Sequence, residues 1–512
     1  MPADAVTPKD TLVIADTIDD ITSLDPAEIF EFSGGEVANN TYNTLVDVDP
    51  RRSGGLIPSL AESWTVRPDG QTYVFKIRPG VPFSTGGTVS AADVVFSLHR
   101  AVLLNKTPAF ILNQFGFTKD TIKDAIKATG PMEVTIVTNK AYAPTFLLNC
   151  LTATIASIVD SKTAMANAKG DDFGYEWLKT NTAGTGPYVL RQYRPSDIII
   201  LERVDKSRQG ASAAMKRVIT RHIKDASAQR LLLEKADIDV ARKLSPDDIA
   251  AVRGNKALKV EEDLKGRIWY FSLNQKKPEL ANPKVVEAFK WAVDYESIAK
   301  NILKGQVVPH QAFLPRTYLG ELKELPYKFD PAKAKALLAE AGFAGGLKTT
   351  MDARNDSPTA DIAQAIQANL AQAGIQLEII PGTGAQTLTK YRARAHDIYI
   401  GQWGPDYPDP HTNADTFAHN PDNSDERKAT GKLAWRNAWD IPQMSKDTEA
   451  ALVEKDGEKR AAMYRDIQRT HQKTSPFVIM YQVNIQTAMR ANVKGFNTGG
   501  AVSSTSYWTV TK

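Results

Sequence analysis

Hydrophobic positions along this chain recur in two rhythms: every second residue in short runs, and every third or fourth in longer ones, the signatures of strands and of amphipathic helices. Residues 11–15 predict an opening strand and 36–46 a helix, with 47–55 a turn-rich crossing. Trp64 and Val66 face Tyr73, Phe75 and Ile77 across the turn Asp69-Gly70, which is a hairpin signal. Ser90 with Asp93 three residues on is a capping box, followed by Val94, Val95, Leu98 and Val102 at helical spacing. Asp225 caps a helix through Leu231, Leu232 and Leu233, and residues 238–240 make a short strand. Residues 266–273 read as a strand with Trp269 and Phe271 on one face and Tyr270 on the other. Asn282-Pro283 and Asp330-Pro331 open helices, the second closed by Gly342, and a helix over 359–373 ends at Gly374 before the alternating strand 375–380. Helices over 447–455 and 458–472 lead into the apolar run 477–481. Helix followed by strand, repeated, predicts an α/β protein.

One stretch breaks both rhythms. Residues 402–411 read Gln-Trp-Gly-Pro-Asp-Tyr-Pro-Asp-Pro-His and follow a strand-like run at 397–400. Three prolines within six residues fix φ and remove backbone donors, so the segment is a stiff loop. Connections are usually filled with small polar residues, whereas this loop carries two carboxylates, an indole and a phenol, and it reads as a recognition surface.

Composition narrows the function classes. With 512 residues, 42% hydrophobic and 24% charged, the chain is long enough for about two to four domains with substantial cores. Its 63 Lys and Arg against 59 Asp and Glu give a net charge of +4, with no basic block, which argues against nucleic acid as a partner. The single cysteine, Cys150, excludes an internal disulfide and any CxxC motif. Residues 1–6 show no charged region ahead of an apolar one, so the chain is either cytoplasmic or a mature form with an added Met. Residues 141–159 form the longest uncharged span, but Pro144, Asn149 and several hydroxyl residues mark it as a buried helix and not a membrane span. The glycine-rich segment 182–190 precedes a strand and lacks the lysine of a phosphate loop, so it reads as a tight turn. Asp406, Asp409, His411, Asp415 and His419 offer a metal-dependent hydrolase reading, although they lack any fixed helical spacing.

The order of motifs then becomes specific. Leu60-Ala61-Glu62-Ser63-Trp64, the run from Tyr73 through Arg78-Pro79-Gly80-Val81-Pro82-Phe83, Ala91-Ala92-Asp93-Val94-Val95-Phe96-Ser97, Thr185-Gly186-Pro187-Tyr188, Lys333 through Phe343, Ala371-Gln372-Ala373-Gly374-Ile375 and Trp403 through Pro410 together resemble the family 5 extracellular solute-binding proteins, the dipeptide and oligopeptide receptors of ABC importers. The resemblance implies a two-lobed periplasmic binding protein type II fold with a two-strand hinge near 266–274 and 477–484. It places residues 1–265 and 485–512 in lobe one, with an extra subdomain inserted at about 47–180, and 266–484 in lobe two. It further implies a periplasmic, monomeric, non-enzymatic receptor without a cofactor. Such a receptor closes on a small solute, most often a di- or oligopeptide, and delivers it to permease subunits in the inner membrane. Relatives also take opines, oligosaccharides and nickel chelates, so the family fixes transport better than ligand.

Residue roles follow from the same resemblance. The aspartate three after the tryptophan takes a peptide amino terminus in relatives, which maps onto Asp406; capping of its own turn is the other reading. Trp403 supplies a pocket wall or packs within lobe two, with Tyr407 and Gln402 beside it, and Asp409 bonds nearby backbone N–H groups. Arg354, in the polar loop 353–356, is the candidate for a ligand carboxylate, or else a solvated surface arginine. Phe32 and Ser33 represent lobe one at the ligand, and Tyr270 the hinge strand. The stretch 204–210 departs from the asparagine and Tyr-Trp pair common in relatives, and Gln402 stands where glycine is common.

Overall fold

A computed structural model describes residues 7–48, 55–207, 213–355, 357–498 and 505–512; the divergent residues 208–210, most of the crossing at 47–55, and Asp356 lie outside the described residues. Chain contacts divide the molecule into two units, Met1–Asp263 with Gln486–Lys512, and Leu264–Ile485.

In the first unit, strand Thr11–Asp16 is apolar at four successive positions because helices and loops cover both its faces. It lies parallel to Arg217–His222 on one side and to Val240–Ala241 on the other. Ile198–Arg203 and Tyr188–Arg194 extend the sheet outward in antiparallel register. At the other end, Val240 pairs with Met489 of the last long strand, Phe477–Arg490. Leu12, Ile14, Tyr188, Val218 and Met489 build one core, while Val13, Ala15, Leu233 and Ala488 build the other. Beside the second core lies Asp239, fully buried, which accepts from Thr7 Oγ1 at 2.6 Å, the Val13 N–H at 2.8 Å and Lys512 Nζ at 2.8 Å. A separate four-stranded antiparallel sheet, in the order Ala61–Val66, Thr72–Ile77, Glu133–Val137, Ile126–Gly130, packs against helix Ala91–Leu104. That helix carries the full capping box of Ser90 and Asp93.

Two expected helices in this unit differ. The first spans Phe32–Thr41, so it starts earlier than 36–46 and stops before strand Val46–Val48. A side chain at Gly34 would come within 3.3 Å of Ile29 Cγ2, so the residue serves close packing inside the helix. The apolar span 141–159 is helical only at Pro144–Cys150, followed by a 3-10 turn at Thr154–Ala156; the Thr152 hydroxyl donates to the Asn149 carbonyl at 2.7 Å and diverts the backbone there.

The second unit is built on strand Leu258–Leu273, which enters it at Leu264, and on Phe477–Arg490, which leaves it at Ile485. Its sheet runs in the order Ile375–Gly382, Leu347–Arg354, Ile398–Trp403, Leu258–Leu273, Phe477–Arg490. The first three strands are parallel to one another. Alternation along Leu258–Leu273 sorts side chains as the sequence predicts: Trp269 and Phe271 join Val285, Phe289 and Ile366 on one face, while Tyr270 joins Tyr399, Phe417 and Phe477 on the other. Helices Pro283–Trp291, Pro331–Glu340 and Thr359–Gln372 cover the first face. Gly342 and Gly374 adopt φ of +91° and +87° just beyond the second and third of these, the left-handed stop that glycine permits. On the second face lie Pro442–Val453 and Gly457–Thr474. Among the described residues, no helix is long and apolar enough to cross a membrane.

Candidate functional site

The proline-rich loop grows out of strand Ile398–Trp403, which extends further than the 397–400 run suggested. Gln402 and Trp403 are therefore strand residues, paired with Trp269 and Ile268. Gly401 permits this, because a side chain there would lie 2.7 Å from the ring of Tyr399, itself stacked on Tyr391 at 4.0 Å. Trp403 sets its ring edge-on to Phe417 at 5.7 Å, and Gln402 is exposed. Arg354, expected in a polar loop, instead ends strand Leu347–Arg354. Because that strand and Ile398–Trp403 are parallel neighbours, Arg354 and the proline-rich loop emerge at the same carboxyl edge of the sheet. This edge is where open α/β sheets place ligands.

Three carboxylates follow in the loop and in the helix His411–Phe417, and their surroundings set them apart. Asp409 is fully buried; Arg460 donates to both its oxygens, at 2.9 and 2.7 Å, and the His411 N–H donates at 2.9 Å. Against the desolvation of burial, the guanidinium holds the Asp409 carboxyl below its usual range. The turn-forming role expected for Asp409 is thus only part of its bonding. Asp415 is likewise desolvated, yet Lys432 at 2.5 Å and His419 at 2.6 Å hold it well below the usual range.

Asp406 differs from both. Its N–H donates to Thr412 Oγ1 at 3.1 Å, and the Thr412 hydroxyl reaches Asp406 Oδ2 at 3.5 Å, the weak limit of a hydrogen bond. No cation of the described residues stands beside it. Desolvation pushes its carboxyl up to about 7, with the Asp415 charge adding and the Thr412 hydrogen bond opposing.

The remaining expected residues are placed as follows. Tyr407 turns inward and is 3% exposed. Tyr270 is 1% exposed, with the rings of Phe417 and Phe477 at 5.5 and 5.8 Å, which is a core environment and not a solute-facing one. In the first unit, Phe32 is an exposed aromatic at the start of its helix, and Ser33 Oγ donates to the Thr17 carbonyl at 3.4 Å. The five residues of the hydrolase reading do not assemble: Asp409 is taken by Arg460, and Asp415 and His419 bracket the Lys432 ammonium. Among the described residues no group of three or more His, Cys, Asp or Glu is arranged to hold a metal ion. Reading the sequence alone missed Arg460, Thr412 and Lys432, which carry no motif and reveal their roles only through contacts across the fold.

Comparison with known proteins agrees with this architecture. The profile of the bacterial extracellular solute-binding proteins, family 5, matches residues 55–425. A probable D,D-dipeptide-binding periplasmic protein of Escherichia coli is 28% identical over 500 residues, covering 96% of this chain and 92% of its own length. Among solved structures, an ABC transporter-associated periplasmic binding protein from Helicobacter pylori, in complex with the peptide STSA, superposes with a TM-score of 0.82 at 25% identity, covering 98% of each chain. A Campylobacter jejuni protein in complex with Ni(L-His) shares the fold, with a TM-score of 0.79 at 20% identity over 99% of this chain and all of its own. The α/β class expected from the sequence, that of type II periplasmic binding proteins, is the class of these neighbours. Taken with the motif order and the sheet-edge loop, these matches show that the chain belongs to the bacterial extracellular solute-binding proteins of family 5.

Proposed function

We propose that this solute-binding protein captures a short peptide with a free amino terminus, seats the ammonium on Asp406, and hands the peptide to the permease of an ABC importer. The observation that carries this reading is the contrast among the three acids of the site. Asp409 has Arg460 and Asp415 has Lys432, whereas Asp406 is desolvated without a cation of its own. A desolvated carboxylate without a counter-charge is costly, and a ligand ammonium with good hydrogen bonds offsets that cost. A peptide-bearing neighbour and a relative named for dipeptides support the ligand class. Arg354, at the same sheet edge, is the proposed partner of the ligand carboxylate, with Trp403 and Gln402 flanking Asp406.

Native mass spectrometry of the purified protein, followed by calorimetry with di- to pentapeptides, opines and sugars, tests the reading. Peptides with free amino termini bind in the micromolar range or tighter, N-acetylated copies fail to bind, and Asp406→Asn removes binding. A preference for sugars or for N-acetylated peptides would overturn it.

A further inference from the structure

Thr412 stands in the first turn of the helix His411–Phe417 and is 2% exposed, so it is closed to solute. Its N–H donates to the Asp409 carbonyl at 3.1 Å and its carbonyl accepts from Thr416 Oγ1 at 2.8 Å, while Arg460 grips the Asp409 carboxylate. The residue is thus fixed from both sides. Its Oγ1 accepts the Asp406 N–H at 3.1 Å and lies 3.5 Å from Asp406 Oδ2. A hydroxyl carries one proton, and Asp406 Oδ2 is the acceptor in its reach among the described residues. One hydroxyl therefore spans the backbone and the side chain of the same aspartate, and this small ring sets the direction of the carboxyl. Asp406 itself is half-buried, and its Oδ1 makes no hydrogen bond among the described residues and is not sealed from solvent. Asp415, the other acid that acts on this carboxyl, is already neutralised by Lys432 and His419.

We propose that Thr412 is a positioning residue for ligand capture: by holding Asp406 Oδ2 against the loop it leaves Oδ1 for the incoming ammonium, and it tightens on Oδ2 as the carboxyl takes on its charge. This rests on the assignment of the ligand ammonium to Asp406. At 3.5 Å the bond is weak, whereas a hydroxyl that donates to a full carboxylate closes to about 2.5–2.7 Å and roughly doubles in strength. The Asp406 N–H that donates to the same hydroxyl oxygen polarises it and adds to that gain. The ammonium charges the carboxyl from one side and Thr412 answers from the other, so the hydrogen bond contributes more with ligand than without. A ligand lacking a cation draws nothing from it.

The test is calorimetry of wild type, Thr412→Val, Thr412→Ser and Asp406→Asn with a library of free-amino di- to tetrapeptides, carbon-13 titration of the Asp406 carboxyl in wild type and the two Thr412 variants, and a crystal structure of the wild-type complex. Thr412→Val keeps the shape and removes the hydroxyl. Its affinity for the library falls about 10- to 100-fold, the worth of a hydrogen bond to a charged group, and its Asp406 carboxyl titrates at higher pH. Thr412→Ser restores both. In the wild-type complex Thr412 Oγ1 closes to about 2.5–2.7 Å from Asp406 Oδ2. Wild-type affinity in Thr412→Val, an equal loss in Thr412→Ser, an Asp406 titration that does not move, or a separation that stays at 3.5 Å in the complex overturns this inference while leaving Asp406 in place. The complex decides the matter even where Thr412→Val does not fold. Unchanged affinity in Asp406→Asn, or no binding of any free-amino peptide to wild type, overturns the peptide assignment and this inference with it.

Discussion

At the scale of single residues, the loop shows how one element gives the same residue type opposite tasks. Asp409 is a structural anion, buried with Arg460 at 1% and 2% side-chain exposure. Asp409→Asn leaves the guanidinium buried without its charge partner, and is expected to cost about 3–5 kcal/mol in urea unfolding. Asp406 behaves in the reverse sense. Its folded carboxyl titrates near 7 against 3.8 for the free side chain, so the fold bears no penalty from it below pH 3.8. Stability relative to Asp406→Asn is then lost as pH rises, and the full loss is reached above 7. Asp406→Asn is accordingly expected to be more stable than wild type by an amount on the order of 2–4 kcal/mol at pH 8, with the difference closing by pH 4, as thermal melts across pH measure. Binding carries the complementary sign. Under the proposed function a peptide ammonium engages the ionised carboxylate, so capture at pH 6–7 is expected to release a proton, and calorimetric enthalpies should vary with the ionisation heat of the buffer. Buffer-independent enthalpies would show that Asp406 is already charged in the free protein or takes no part in binding.

At the scale of elements, periodicity and caps made most strands and helices legible. The alternation of Trp269, Tyr270 and Phe271 gave the correct face for each ring, and the glycines at 342 and 374 gave the correct helix ends. What failed failed for local reasons. The first helix was placed too late, at 36–46 instead of Phe32–Thr41, and Trp403 was read as loop because the prolines after it masked the end of its strand. The glycine-rich segment 182–190 is the clearest case of a motif explained by geometry. Gly186 N–H donates to the Thr41 carbonyl at 3.0 Å, and a side chain on Gly186 would lie 2.5 Å from the Thr41 carbonyl carbon. The glycines there let the chain pass against the end of a helix, with no phosphate required. Gly186→Ala is expected to destabilise by about 2 kcal/mol or more, since the obstacle is backbone and cannot rotate away; chemical denaturation measures it. The candidate loop was legible because a motif surrounds Asp406, whereas Arg460 was not, because its partner Asp409 lies 51 positions away and no local pattern encodes such a meeting.

At the scale of the whole molecule, each unit has its own cores, and two strands carry the chain from one to the other. Calorimetric unfolding is expected to resolve more than one transition. Peptide at 100 times its dissociation constant should stabilise the unit that contains Asp406 by about 2.7 kcal/mol, visible as a selective shift of its transition. A single transition that moves as a whole would show that the units unfold as one.

The arrangement around Asp239 has a consequence for how the polypeptide is made. Its carboxylate is sealed against Thr7, Val13 and Lys512, and the strand beside it receives its partner from Met489. A nascent chain that has reached residue 263 holds nearly all of the first unit, yet lacks both the ammonium that neutralises this anion and the strand that finishes the sheet. Residues 264–485 are continuous and become complete while the earlier half is still waiting. The portion synthesised second is thus free to mature first, and the amino-terminal portion stays unfinished until residues 486–512 have been made.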